Sequence, residues 1–435
     1  MVKKYFLKTF IFFLFFFNNL FSQEKLIKVN NERLYKNLIK LSEFGINSNR
    51  GNDRVAYSDY DISARKYLIN YLEKIGTQVN IDYAGNIIAL RKGLKKNLKP
   101  ISFGSHIDAV PNGGHYDGNV GVISSIEILE VFNENKIYTD HPLELIIFSN
   151  EEGAIFGSRA IAGKIENKTL DVKTSSGYTI REGLKRIGGN PEKVLELARK
   201  KNEVHAFLEL HIEQGNILNS SKTDIGVVEG IVGLKWWDVI ISGFANHAGT
   251  TPMNSRQDAM IAAAKFILKV NQVVNSIEGS QVGTVGRISA YPGAPNVIPG
   301  KVVLSLELRD LSKEKIQLLF KNIKEESNII ATQTNTKFEF KPLDATAEPA
   351  LTDSRIQKVI DEVSINLGYS TKFMPSGAGH DAQDMAVITP TGMIFIPSID
   401  GISHSPEEYS TPESIIKGAN VLLNSVLTID KIKLN

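Results

Sequence analysis

Two apolar runs that end in ligand-type side chains constrain this chain more than any other feature. Residues 101–103 and 143–148 read as buried strands, apolar in the second case except for Glu144. The first runs into Ser105-His106-Ile107-Asp108 and the second into Asn150-Glu151-Glu152-Gly153. Imidazole and carboxylate groups just past strand ends lie where open α/β sheets place their sites, outside the carboxyl ends of the strands. The neighbouring segments agree. Residues 62–75 and 120–133 carry apolar side chains at helical spacing, and 78–81 and 87–90 are short strand-like runs. Such alternation predicts strands buried between helices.

The pattern changes near Gly230. Strand character at 235–242 is followed by a loop at 247–253, an amphipathic helix at 258–274 and a strand at 281–288. A cleanly alternating strand at 302–309, a helix at 312–333 and a strand at 337–342 complete the set. The order β–α–β–β–α–β is ferredoxin-like. After Asp344 the α/β character returns. The expected fold class is therefore α/β: a discontinuous catalytic domain with a mixed sheet between helices (residues 23–229 and 344–435), interrupted by an inserted ferredoxin-like α+β unit at 230–343, expected to serve as lid and dimerisation domain.

Length and composition narrow the function. At 435 residues with 42% hydrophobic content, the chain can fill two cores. A formal charge of +2 gives no basic surface for nucleic acid or anionic membranes. Residues 1–22 hold Lys3, Lys4, Lys8 and no acid, so their removal takes the charge to −1. Their basic start, Phe-rich run and Ser22 before Gln23 read as a secretory signal, which predicts export to the periplasm or beyond, with no stable membrane insertion afterwards. Its apolar run falls short of the roughly 20 residues of a spanning helix. With no cysteine in the chain, a metal site must be built from histidine and carboxylate, a donor set that suits zinc, manganese, cobalt or nickel.

His106 and Asp117 flank the turn Pro111-Asn112-Gly113-Gly114, which lets both face one point. A carboxylate such as Asp117 can bridge two cations roughly 3.5–4 Å apart. Asp108, two residues from His106, is expected to accept the ring N–H and fix the tautomer. If strand geometry continues past Phe148, Glu151 and Glu152 point to opposite sides, one toward a metal and the other standing off as a general base. His211, His404 and His380 sit in polar or Gly-rich bends and are candidates as ligands or substrate contacts. His115, His141 and His205 read as loop or packing residues.

The runs from Gly104 to Gly118, Asn150 to Gly153, Leu210 to Gly215, Asn246 to Met253 and Gly401 to Glu407 resemble the M20 metallopeptidase-like family. More narrowly they resemble its hydantoinase/carbamoylase branch of N-carbamoyl-L-amino-acid hydrolases, β-ureidopropionases and allantoate amidohydrolases. His211 in the run His-Ile-Glu-Gln-Gly separates this branch from the peptidases, which generally carry a carboxylate there. The resemblance implies two divalent cations, with zinc the first expectation. His106 and His211 would hold one, Glu152 and His404 the other, and Asp117 would bridge them. It further implies Glu151 as general base and His247 as a catalytic donor that crosses from the partner of a homodimer. Gln214, Trp236, His247, Asn296, Arg309, Gly379 and His380 would contact a small carboxylate substrate. The expected reaction is hydrolysis of a linear amide or ureido C–N bond. Two other readings remain open from sequence: an M20-type aminopeptidase or aminoacylase, and a binding protein that has lost catalysis.

Overall fold

The computed structural model describes residues 26–343 and 347–434. The expected signal segment, residues 1–22, lies outside the described residues, as does Asp344 at the expected domain boundary. Among the described residues no helix is long and apolar enough to cross a membrane.

A mixed sheet of nine strands forms the larger layer. Its centre is a run of four parallel neighbours: Leu143–Phe148, Ile101–His106, Ala206–Ile212 and Thr391–Ile396. Every residue of these four strands is buried. That is what a sheet covered on both faces requires, and it explains their near-continuous apolar runs. Glu144, the charged exception, accepts hydrogen bonds from Ser102 Oγ (2.7 Å) and from Arg199 (2.6 and 3.0 Å), so its charge is paired where it is buried.

Because the four strands are parallel, their carboxyl ends lie along one edge. Helix Asn119–Glu134 packs beneath that edge, burying Val120, Val122, Ile123, Ile126, Leu129 and Phe132 in the main core. Each such side chain contributes about 1.5–3 kcal/mol relative to exposure, so the helix start is firmly placed. That start is one residue removed from Asp117. Gly118 between them has φ +64°, and a Cβ there would lie 2.6 Å from the His106 ring. Only glycine allows Asp117 and His106 to come so close.

The second sheet has five strands, in the order Ile288–Tyr291, Lys301–Asp310, Gly233–Ser242, Lys337–Pro342, with Val282–Thr284 also on Lys301–Asp310. All its pairings are antiparallel. Helices Ala259–Ser276 and Lys313–Thr334 cover one face, over a separate core that includes Trp237, Val239, Ile241, Phe266, Leu304, Leu306 and Leu308. Chain order and strand order are those of the expected ferredoxin-like unit. The expected strand at 281–288 is a correction: it is two short strands. Val282–Thr284 pairs with residues 307–309, and Ile288–Tyr291 with 301–304, around a break that contains Gly286.

Candidate active site

Six side chains converge at the carboxyl edge of the four parallel strands. His106 is the last residue of strand Ile101–His106, not a loop residue beyond it as the apolar run suggested. His211 lies one residue before the end of Ala206–Ile212. Glu151 and Glu152 follow Leu143–Phe148, and His404 follows Thr391–Ile396 after a short turn. Asp117 stands in the middle. Its Oδ1 is 3.0 Å from His211 Nε2 and 3.4 Å from His106 Nε2, while its Oδ2 is 3.3 Å from His404 Nε2. His404 Nε2 is also 3.3 Å from Glu152 Oε2. One oxygen of Asp117 thus serves each of two ligand groups, His106–Asp117–His211 and Asp117–Glu152–His404, either of which can hold a metal ion.

The histidine tautomers suit that task. His106 Nδ1 lies 3.0 Å from the carbonyl of Asp108, and His211 Nδ1 lies 2.9 Å from the carbonyl of Ile212. A carbonyl only accepts, so each Nδ1 carries the proton and each Nε2 lone pair faces the cluster. The main-chain N–H of Gly118 donates to His211 Nε2, which requires the same assignment.

Two expectations are corrected here. The Asp108 carboxylate does not fix the His106 tautomer; its main-chain carbonyl does. The carboxylate oxygens accept the N–H groups of Glu151 (3.2 Å) and Glu152 (3.1 Å) instead. Those two N–H groups have no intrahelical acceptor because they open a short helix, Glu151–Ala154, and do not continue the strand. Asn150, at φ +50°, turns the chain out of the sheet. The two glutamates still diverge, by the helical rotation of about 100° per residue. Glu151 Oε2 is 3.8 Å from His106 Nε2, whereas Glu152 faces His404.

The side chains by themselves carry a strained set of charges. Burial works against ionised Asp117, yet His211 and His106 outweigh it and hold its carboxyl well below the usual range. Burial pushes Glu151 well up and lifts Glu152 to about 8, with Asp117 adding to the latter. The hydrogen bond to Asp117 raises His404 to about 9. Buried acids crowded in this way are what cations would relieve. The donor chemistry fits divalent metal.

The remaining predicted residues fall into three places. Gln214 is in the cluster: its Nε2 donates to Asp117 Oδ2 at 2.7 Å and lies 3.3 Å from His404 Nε2, while its Oε1 is buried without a partner. His380 lies behind the cluster, 1% exposed, its ring 4.5 Å from that of His211 and its Nε2 bonded to Ser376 Oγ; Gly379 before it is exposed. Trp236 and Arg309 stand on the helix-free face of the second sheet. Both bond Glu307, and Arg309 Nη1 also donates to the carbonyl of Gly377 at 2.6 Å. Trp237, by contrast, is core and stacks on Phe320. His247 and Asn296 are brought together by the ribbon that pairs Asn246–His247 with Val297–Ile298. Both are exposed, and among the described residues the hydrogen bonds of His247 are to its own loop, to Asn246, Gly249, Thr250 and Thr251. His115 bonds the carbonyl of Arg50, and His141 stacks on His205 at 4.1 Å, in keeping with loop and packing roles.

Sequence reasoning passed over three buried acids around the cluster, Asp381, Glu209 and Glu408. Asp381 accepts from Ser158 Oγ at 2.6 Å, and Glu209 accepts from Ser105 Oγ and the N–H of Ala382. Glu408 accepts hydrogen bonds from residues 116, 117, 403 and 404. The signal for Glu209 was present: a glutamate inside a strand otherwise read as apolar-flanked.

A mixed α/β sheet with a buried histidine–carboxylate cluster at its carboxyl edge defines a metal-dependent hydrolase. The chain belongs to peptidase family M20/M25/M40, whose family model matches residues 102–428. Within it, the chain is an amidohydrolase of the hydantoinase/carbamoylase kind. It is 38% identical over 403 residues to an N-carbamoyl-L-amino acid amidohydrolase of Geobacillus stearothermophilus, covering 92% of this chain and 98% of that protein. It is 39% identical over 422 residues to a ureidoglycolate hydrolase of Arabidopsis thaliana, covering 94% and 88%. Among solved structures, an amidase of the hydantoinase/carbamoylase family from Burkholderia multivorans superposes with a TM-score of 0.87 at 32% identity, covering 94% of this chain and all of that one.

Proposed function

We propose that this chain hydrolyses the linear C–N bond of an N-carbamoyl amino acid or a related ureido acid, using two divalent cations, zinc first among them. The observation that carries the reading is the split of Asp117, one oxygen to each of two ligand groups. His106 and His211 would hold one cation, Glu152 and His404 the other, with Asp117 between them. Cations so held supply a Lewis acid and a water of lowered pKa. Glu151, its carboxyl raised by burial and standing beside His106, takes the water proton and delivers it to the leaving nitrogen. Arg309 offers guanidinium N–H groups to the substrate carboxylate, with Asn296, Gln214, Trp236, Gly379 and His380 as further contacts. Addition of water to a carbamoyl substrate yields the free amine and carbamic acid, which falls to ammonia and carbon dioxide.

A homodimer through residues 230–343 is part of the same reading. It is supported by the open edge of strand Ile288–Tyr291 and by apolar residues exposed on that unit, Ile261, Leu268, Ile288 and Tyr291. Export is supported by the basic, Phe-rich start of the chain. The test of the activity is ammonia release from N-carbamoyl amino acids, ureidoglycolate and allantoate, set against cleavage of dipeptides by the same preparation. Turnover of dipeptides with no ammonia from any ureido acid would overturn the proposed substrate class.

A further inference from the structure

Glu408 is 3% exposed and joins two segments far apart in the chain. Its Oε1 accepts the main-chain N–H groups of Tyr116 and Asp117, both at 3.0 Å. Its Oε2 accepts the Ser403 hydroxyl at 2.8 Å and the N–H of His404 at 3.2 Å. One carboxylate therefore takes two donors from the segment that carries Asp117 and two from the segment that carries His404. Hydrogen bonds to an ionised acceptor are roughly twice as strong as neutral ones.

Two independent features show that the surroundings are shaped to this carboxylate. A Cβ on Gly114 would lie 2.0 Å from Glu408 Oε1, so the glycine turn before Asp117 makes the room. His404 has φ +54°, a left-handed conformation that costs a non-glycine residue on the order of 1–3 kcal/mol unless its surroundings hold it. The bond from its own N–H to Glu408 is such a restraint. The Ser403 hydroxyl completes the link, lying 3.3 Å from Asp117 Oδ2 on its other side.

We propose that Glu408 is a positioning residue that sets Asp117 against His404, and so tunes the cation affinity of the Asp117–Glu152–His404 group but not that of His106–Asp117–His211. This rests on the reading that both groups bind metal. A glutamine at 408 separates the two functions. Its single carbonyl oxygen can still accept from Tyr116 and Asp117, but its NH2 then faces the N–H of His404, donor against donor. The His404 side should be released while the Asp117 side stays.

The experiment is Co²⁺ titration of the metal-free full chain, followed by visible absorption and by metal analysis of the gel-filtered product. Wild type should take up two equivalents. Glu408→Gln should bind one as wild type does and the other about 10–100-fold more weakly, the usual scale for a partner that orients a ligand. A general loss of structure would weaken both equivalents together. Two wild-type affinities in Glu408→Gln, or equal weakening of both, would overturn the proposal. Should Glu408→Gln fail to fold, Ser403→Ala decides by the same measurement: selective weakening of one equivalent supports the role and two unchanged affinities reject it. If wild type itself binds one equivalent, the two-cation reading fails, and Glu408 is rejected only if its variant binds that cation equally well.

Discussion

Asp108 is bonded to Glu151, not to its near neighbour His106, through its carboxylate: Oδ1 accepts the Glu151 N–H at 3.2 Å and Oδ2 the N–H of Glu152 at 3.1 Å. A single buried carboxylate thereby seats the helix that bears both glutamates, while its main-chain carbonyl orients His106. Asp108→Ala should leave the carbonyl bond in place and free the glutamates. The expected loss is about 10–100-fold in kcat/KM, with reduced cation content on the Glu152 side. Steady-state kinetics together with metal analysis check this, and a variant with wild-type kcat/KM would contradict it.

Glu151→Gln should keep the fold and the cation content yet lose about 10²–10⁴-fold in kcat, the range for a general base. Glu151 is buried and faces His106, so the amide fills the same space without accepting a proton. Rates near wild type in a fully loaded variant would remove Glu151 from the mechanism.

The difference between these two acids also shows what was legible in the sequence. The strands at 101–103 and 143–148 and the helix at 120–133 could be read from apolar runs and period, because these strands are buried on both faces and helix Asn119–Glu134 nearly all round, whereas Thr391–Ile396 was not singled out. Residue type and placement mark the side chains of the cluster as candidates, but separating His211 and His404 as ligands from His380 takes the family resemblance. The partners of these side chains were not legible. Closeness in sequence pairs Asp108 with His106, whereas its carboxylate bonds residues 151 and 152. Glu408 bonds the 116–117 segment, which no local pattern can reveal. The chain direction after Phe148 depended on the left-handed turn at Asn150, which a residue type allows but does not dictate.

Arg309→Lys should raise KM for carboxylate-bearing substrates about tenfold or more, since each lost charge-assisted bond is worth about 1.5–3 kcal/mol. Its Nε and Nη2 bond both oxygens of Glu307, which holds the planar fork on the open face of the second sheet. Lysine keeps the charge and loses that geometry. The unfolding midpoint should fall only modestly, because the side chain is partly exposed and lysine keeps a charge beside Glu307. Unchanged KM across a series of ureido acids would place the carboxylate anchor elsewhere, with Asn296 and the 377–380 bend next to be tested.

Metal uptake should release protons. His404 is raised to about 9 by its hydrogen bond to Asp117, and Glu152 to about 8 by burial, so in the chelated protein near pH 7 both groups hold protons that a cation must displace. The sign follows: affinity rises as pH increases from 6 toward 9 and levels off above it. Cation titration in weak buffer with an indicator dye measures the release, and affinity independent of pH across that window would show that neither group is a ligand.

His247 carries the last prediction. Its Nδ1 accepts the N–H groups of Gly249 (3.0 Å) and Thr250 (3.2 Å), which leaves Nε2–H as an outward donor on an exposed ring. A donor presented in that way can serve an oxyanion, an interaction worth about 2.7–4 kcal/mol in hydrolases. The proposed homodimer would carry it to the partner's cluster. His247→Ala and Glu151→Gln homodimers should then each be nearly inactive. Mixed dimers should regain activity, because one of their two sites combines an intact Glu151 with an intact His247 from the other chain. Co-expression with two affinity tags isolates the mixed dimer, and ammonia release measures its rate. Recovery toward half the wild-type rate supports a shared site. A verified mixed dimer that stays inactive would confine His247 to its own loop, where its bonds to Gly249 and Thr250 would be its whole role.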